Sequence, residues 1–422
     1  MTRAPQRVTF RDVFAIAEFR ALWFAELLSI FGDQLARVAL SVLVFQETES
    51  AALTGLTYAL TYAPSVLGGI FLSGLADRWP RREVMVGVDL IRAVLILLVA
   101  IPGMSFAVLA VLVAGVSLLN PPFKAAQLAL MPDVLTGDRY VVGLALRSMT
   151  NQTAQLLGFA GGGLLIAAID PHLALAFDGL TFIASALFVR FGVRGRPAAR
   201  AAGKTARRAD FFRSIGQGSR LVFADSGLRT LLLITWVSGI LPVYEGLAAP
   251  YAHAFGGGSV EVGLLLASDP LGSVIGAFVF TRWVQPATRP KLIGPLAVLA
   301  AVPMLVAFLR PGLIPSMVVF LVCGALGTAA LMQATASLSL AVPDSSRAQT
   351  MGLSNTGLTT AMGLSPAIGG VAADTVGAQA AVGIFGVVGI LLTAVLAWAW
   401  FRAIGSDPER WTPDDTTPTT PA

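Results

Sequence analysis

The sequence predicts an all-α membrane protein: twelve transmembrane helices in two six-helix halves, with both termini in the cytoplasm. Three observations carry this. Of 422 residues, 55% are hydrophobic and only 13% charged, whereas about a quarter of an ordinary soluble domain is charged. Apolar windows approaching the ~20 residues that cross a hydrocarbon core of ~30 Å recur along the whole chain. The basic residues sit in alternate loops, which is how a multi-span chain keeps one set of loops in the cytoplasm.

The predicted spans are 20–45, 52–76, 84–102, 106–130, 140–168, 172–191, 228–252, 260–282, 291–309, 312–340, 348–373 and 378–401. Arg3, Arg7 and Arg11 precede the first span, and the following loop, QETES, has no Lys or Arg. Arg78, Arg81 and Arg82 fill the next loop, and PGMS after it is uncharged. The alternation continues through Lys124, Arg139 and Arg147, then DPH without a basic residue, then ten basic residues between Arg190 and Arg229. In the second half, Arg282, Arg289 and Lys291 lie on one side and Arg310 alone on the other. The net charge of +5 is therefore a record of topology, and nucleic acid is not an expected partner. The N-terminus lacks an apolar core ending in small residues, so the first span itself is expected to direct insertion.

Residues 192–227 divide the chain into a first half, 1–191, and a second, 228–401, leaving 402–422 as an expected disordered cytoplasmic tail. The divider begins as an Arg/Ala/Gly linker. It ends in DFFRSIGQGSRLVF, where Phe211, Ile215 and Val222 approach helical spacing and Arg213 and Arg220 suit lipid headgroups, the pattern of an interfacial helix. The halves echo each other: LADRW (75–79) with VFTRW (279–283), MPDVLTGDRYVVGL (131–144) with VPDSSRAQTMGL (342–353), and GFAGGG (158–163) with SPAIGG (365–370). Duplication in a many-helix bundle marks transporters that move two halves about a central site.

SGLADRWPRR (73–82) resembles the signature loop of the major facilitator superfamily, with Asp77, Arg78, Arg81 and Arg82 at its charged positions. FGDQLARVALSVLVF (31–45), DLIRAVL (89–95), PPFKAAQLALMPD (121–133) and FDGLTFIASALF (177–188) resemble the drug-efflux branch that contains enterobactin and macrolide exporters. The likeness covers essentially the whole chain. It departs from the pattern at Pro80, where the loop usually has Gly, at Lys124, where the branch has Arg, and at Gly158-Phe159, where antiporters have Gly-Pro; in the second half that Pro is present as Pro366. The resemblance implies the major facilitator fold, alternating access and a cytoplasmic gate that Asp77 and the arginines hold closed in the outward-open state. Asp89 and Arg92, one turn apart, are expected to support that gate, and Asp178 to anchor helix packing.

A charge at the bilayer centre costs at least about 2.5–3.5 kcal/mol, so each one in a span needs a reason. Glu26, Asp33 and Arg37 share one face of the first helix, at steps of seven and four. Asp33 and Arg37 are expected to pair. Glu26, nearer the cytoplasm, is a candidate proton carrier with Asp33; the alternative is a hydrogen-bonded network that glues helices together. Glu245, flanked by Tyr244 and Tyr251, and Asp269, followed by Pro270, could line the second half of a cavity; alternatively Glu245 reaches outer water and Asp269 satisfies backbone groups freed by the proline.

The single cysteine, Cys323, excludes an intrachain disulfide and a cysteine zinc site, and His172 and His253 are far apart outside any metal motif. With no catalytic set and no nucleotide loop, the expectation is neither an enzyme nor a cofactor protein, but a monomeric inner-membrane exporter of a hydrophobic or amphiphilic small molecule, driven by protons and in contact with lipid. A lipid or lysolipid flippase of the same architecture, or a receptor or scaffold docking through the basic linker, remains open.

Overall fold

The computed structural model describes residues 8–198, 219, 220, 222–406 and 411, and among them the regular elements are helical. The first unit, which gathers the chain up to Thr205 together with Gly257–Ala267, starts with a short helix α1 (Phe10–Phe14) and the long α2 (Ala17–Thr48). After Ser50, whose hydroxyl accepts from Leu53 N at 3.2 Å as an N-cap, the chain forms α3 (Ala51–Leu60), α4 (Ala63–Phe71) and α5 (Leu75–Arg78). This second span is broken where Pro64 starts a new helix and where Gly74 precedes the last turn. Then come α6 (Arg81–Val99), α7 (Phe106–Leu118), α8 (Asn120–Val134), α9 (Asp138–Ala168) and α10 (Pro171–Gly192). Pro121 and Pro122 open α8, so the fourth apolar run is two helices rather than one.

The second unit, Ala206–Gly256 with Ser268–Ala422, holds α11 (Ser226–Ser238), α12 (Val243–Gly246) and α13 (Ala248–His253) in place of one continuous span. Pro242 at the start of α12 and Pro250 within α13 supply no amide hydrogen, which breaks the ladder. Helix α14 (Ser259–Trp283) crosses the boundary between the units. It is followed by α15 (Arg289–Ala301), a 3-10 segment (Val302–Leu309) that begins with Pro303, α16 (Leu313–Ala341), α17 (Asp344–Val376) and α18 (Ala378–Ser406). Because α18 continues to Ser406, residues 402–406 are helix and not the expected disordered tail. The interfacial-helix reading of 210–223 falls largely outside the described residues.

Each unit has its own apolar core. In the first, Phe19, Leu22, Met85, Phe123, Leu130, Met131 and Val189 pack together. In the second, Leu228, Leu231, Ile234, Ile293, Leu338 and Trp400 do so, with Trp411 edge-on to Trp400 at 4.9 Å. Nine segments among the described residues are long and apolar enough to cross a membrane. Helices α6, α9 and α17 are not among them: α6 has Arg81, Arg82, Glu83, Asp89 and Arg92, and α9 and α17 are rich in hydroxyl and amide side chains.

Candidate functional site

The site in the first unit grows from α2. Its sequence has no proline from Ala17 to Thr48, so the ladder runs unbroken and Glu26, Asp33 and Arg37 keep the common face their spacing implies. What lets that face be buried is Gly32. A Cβ there would lie 2.1 Å from Asp178 Oδ1 and 2.2 Å from Thr181 Oγ1, so only glycine allows α10 to bring its carboxylate against α2.

The ion pair that the structure shows for Asp33 is with a residue of another helix. Its carboxylate accepts from Arg92 Nη2 of α6 at 2.8 Å, while Arg37 Nη1 donates to the Tyr62 hydroxyl at 2.6 Å and its guanidinium covers the Tyr62 ring at 4.2 Å. Asp89 and Arg92, expected as a local pair supporting the gate, do lie side by side. The two side chains are fully buried, 3.7 Å apart, and belong to the Asp33 cluster; Asp89 accepts from Ser185 at 2.6 Å, and Arg92 lies over the Phe182 ring at 4.0 Å. Helix α6 thus presents Asp89 and Arg92 to α2 and α10, a neighbourhood that spacing along one helix cannot reveal. Asp178, also buried, interacts electrostatically with Asp33, Arg92 and Asp89 and lines the same small cavity as Asp33, Arg37 and Arg92. Asp89 does not line that cavity; 23% of the Asp33 side chain is accessible against 0% for Asp89.

Glu26, one level away on α2, is held by Arg147 of α9 through a 2.6 Å charge-assisted contact and by Gln127 of α8 at 3.2 Å; Arg147 in turn donates to Gln127 at 2.8 Å. The closed triangle borders a cavity of about 310 Å³ lined by Leu144, Arg147, Ser148, Asn151 and Gln152. Lys124 acts electrostatically on both Glu26 and Asp33. Sequence reasoning read Arg147 as a topology marker, and Lys124 as that and as a departure from the branch pattern, with neither placed in the site. Both lie at positions interior to helices, and that was the available signal. Glu26, Asp33, Asp89 and Asp178 thus share the first unit's interior with Arg37, Arg92 and Arg147, and Lys124 acts on the same group. Removing one member of a buried ion pair leaves an uncompensated charge.

The signature loop makes contacts within the first unit. Arg81 pairs with Asp133 at 2.8 Å and donates to Ala129 O at 2.7 Å, Arg82 pairs with Glu83 at 2.6 Å, and Asp77 and Arg78 are exposed. Beyond α10, Arg194 and Arg196 both reach Glu18, at 3.2 and 2.7 Å.

In the second unit Glu245 is buried in α12 and Asp269 sits in α14 immediately before Pro270. The Tyr244 hydroxyl donates to Asp269 Oδ2, Ser273 lies 3.4 Å from its other oxygen, and Thr328 donates to Ser273 at 2.7 Å. Tyr244 stacks on Phe320 at 4.2 Å, and Tyr251, hydrogen-bonded to Ser316 at 3.1 Å, meets the same ring edge-on. No group of three or more His, Cys, Asp or Glu able to hold a metal is present among the described residues.

The described residues form helices with an apolar core in each unit and segments long and apolar enough to cross a membrane, and a family model described as a transmembrane secretion effector of the major facilitator type matches residues 11–417. The chain belongs to that family and is a multi-pass integral membrane protein, in a bacterium one of the inner membrane. The enterobactin exporter EntS of Shigella boydii serotype 4 (strain Sb227) is 27% identical over 322 residues, 73% of each chain. BacE of Bacillus amyloliquefaciens, named as a candidate bacilysin exporter, is 26% identical over 269 residues, 62% of this chain, and the match spans 65% of that relative's length. Among solved structures, a bacterial homologue of the human lysosomal transporter Spinster superposes with a TM-score of 0.73 over 94% of this chain and 98% of its own, at 16% identity, a likeness of fold.

Proposed function

We propose that this chain is a secondary active exporter of a small amphiphilic molecule, working by alternating access and exchanging its cargo for protons. In this reading α6, α9 and α17 cross the membrane beside the nine apolar segments, giving twelve spans with both termini cytoplasmic; their polarity is tolerated because side chains inside a bundle can face water or one another. The halves are 1–191 and 228–401, joined by the basic linker, in a chain that acts as a monomer. Asp77, Arg78, Arg81 and Arg82 form the cytoplasmic gate.

The observation that carries the proposal is the partner choice of Asp33. It reaches the cavity, yet it shares Arg92 with the fully buried Asp89. Protonating Asp33 removes its charge, and Arg92 is then drawn to Asp89, so one proton arriving from the cavity changes which helices are held together. Glu26 and Arg147 offer a second exchangeable pair beside the larger cavity. The hydrogen-bonding side chains of Ser148, Asn151 and Gln152 at the larger cavity suit the polar part of an amphiphile. The named cargoes of the two exporter relatives, enterobactin and bacilysin, are the first compounds to try.

The test is gradient-driven uptake of these compounds into everted vesicles carrying the intact chain, Asp33→Asn or Glu26→Gln. Uptake is expected to collapse when the pH gradient is dissipated and to fall at least tenfold in Asp33→Asn. Equal gradient-driven flux in both variants and the intact chain sinks the proton assignment.

A further inference from the structure

The larger cavity of the first unit is walled by one face of α9, where Leu144, Arg147, Ser148, Asn151 and Gln152 follow at alternating steps of three and one. Four of these five side chains are polar or charged, on a helix proposed to cross the membrane, and such groups need water or a ligand. We propose that this wall receives a carboxylate group of the cargo, held by Arg147 and Asn151. The inference rests on the export reading above and names the class of molecule that the site takes, an anionic amphiphile.

The assignment follows from the donors that the protein leaves unused. Arg147 turns one edge of its guanidinium to partners on α2 and α8: Nε reaches both oxygens of Glu26 at 2.6 Å, and Nη2 donates to Gln127 Oε1 at 2.8 Å. Left over is the end of the fork, Nη1 with the second hydrogen of Nη2, the arrangement that grips a carboxylate through two parallel hydrogen bonds. Nη1 has no hydrogen-bond partner among the described residues and is not sealed from solvent, so it is open to the cavity that Arg147 lines. Asn151 is biased the same way. Its Oδ1 accepts from Gln155 Nε2 at 2.6 Å, so its amide nitrogen is the group without a partner. The Ser148 hydroxyl and the Gln152 amide add further donors to the wall.

Glu26 also lines the cavity, but its oxygens are engaged by Arg147 and Gln127, and only 9% of its side chain is accessible. Its charge faces Arg147 and also Lys124, which is exposed and has no ion pair among the described residues. Asp33, the other acid acting on Lys124, is paired with Arg92. Two cations about one carboxylate leave this neighbourhood positive, which suits an anion and opposes an ammonium group.

The test is a titration of the purified full chain in phosphatidylcholine nanodiscs, followed by dansyl fluorescence. The probes are dansylglycine, its uncharged methyl ester, and a dansyl amine of similar length that ends in an ammonium group. Dansylglycine is expected to bind at least tenfold more tightly than either analogue. Arg147→Gln should bring the acid to the level of the ester. Asn151→Asp, which sets a carboxylate into the wall and leaves the Glu26 pair in place, should weaken the acid at least tenfold with the ester little changed; it serves as the test should Arg147→Gln not fold. Equal binding of acid and ester overturns the proposal, as do tighter binding of the ammonium probe, no binding of the acid at millimolar concentration, or a carboxylate preference that survives both variants. No gradient is applied, so loss of proton-driven uptake with the preference intact counts against the export reading and not against the anion site.

Discussion

Arg92 shows how much one buried charge can organise. It touches Asp33 on α2 at 2.8 Å, approaches Asp89 on its own helix, and lies over Phe182 of α10, so three helices depend on one guanidinium. Truncating a partner in such an arrangement costs about 3–5 kcal/mol because the survivors stay buried without compensation. Arg92→Leu is therefore expected to lower the thermal midpoint far more than Arg92→Leu combined with Asp89→Asn and Asp33→Asn, and a triple variant no more stable than the single one contradicts the cluster. A double-mutant cycle on Glu26→Gln and Arg147→Gln should return a coupling of about 0.5–3 kcal/mol in chemical unfolding, the range for residues in direct contact. Additive effects are the refuting outcome. Gly32→Ala brings a methyl into the space of Asp178 Oδ1, and overpacking of this kind costs typically about 1–3 kcal/mol; unchanged stability would mean α10 lies farther from α2.

At the scale of elements, caps and prolines explain where helices start. Helix α1 is closed by a capping box in which Asp12 accepts from the Thr9 backbone at 2.7 Å and from its hydroxyl at 2.8 Å. These hydrogen bonds, backbone first, hold the Asp12 carboxyl below its ordinary value of 3.8. A depressed carboxylate stabilises above its unfolded pKa and loses that contribution as pH falls through the folded one, so α1 is expected to fray below about pH 3.8. Amide exchange of residues 9–14 should show this acid step, and Asp12→Asn should lack it. The apolar runs were legible at this level; Ser50, Asp170 and Asp225 cap the starts of α3, α10 and α11 in the structure. The kinked form of the second, fourth and seventh spans was not, because hydropathy registers the apolar run and is indifferent to a missing amide hydrogen within it.

For the whole molecule, the twelve-span proposal has a direct check. Single cysteines placed at Ser50, Gly103 and Gly256 should react with a membrane-impermeant maleimide from outside intact cells, and those at Arg78, Gly137 and Gln285 only after permeabilisation, in a Cys323→Ser background. Labelling of both sets from the same side would refute the topology. The sequence by itself determined the class of the chain, its apolar runs, its internal echo and the presence of acids that need a reason, since all of these follow from the cost of placing polar groups in lipid. It also put Glu26, Asp33 and Arg37 on one face, because helical periodicity is a local property. Only the tertiary structure decided that Asp33 answers to Arg92, that Arg147 and Gln127 close on Glu26, and that Asp269 is met by hydroxyls. Partners across helices are chosen by which faces glycine and small side chains bring together, and the electrostatics of a buried site belongs to that assembly rather than to any single segment of chain.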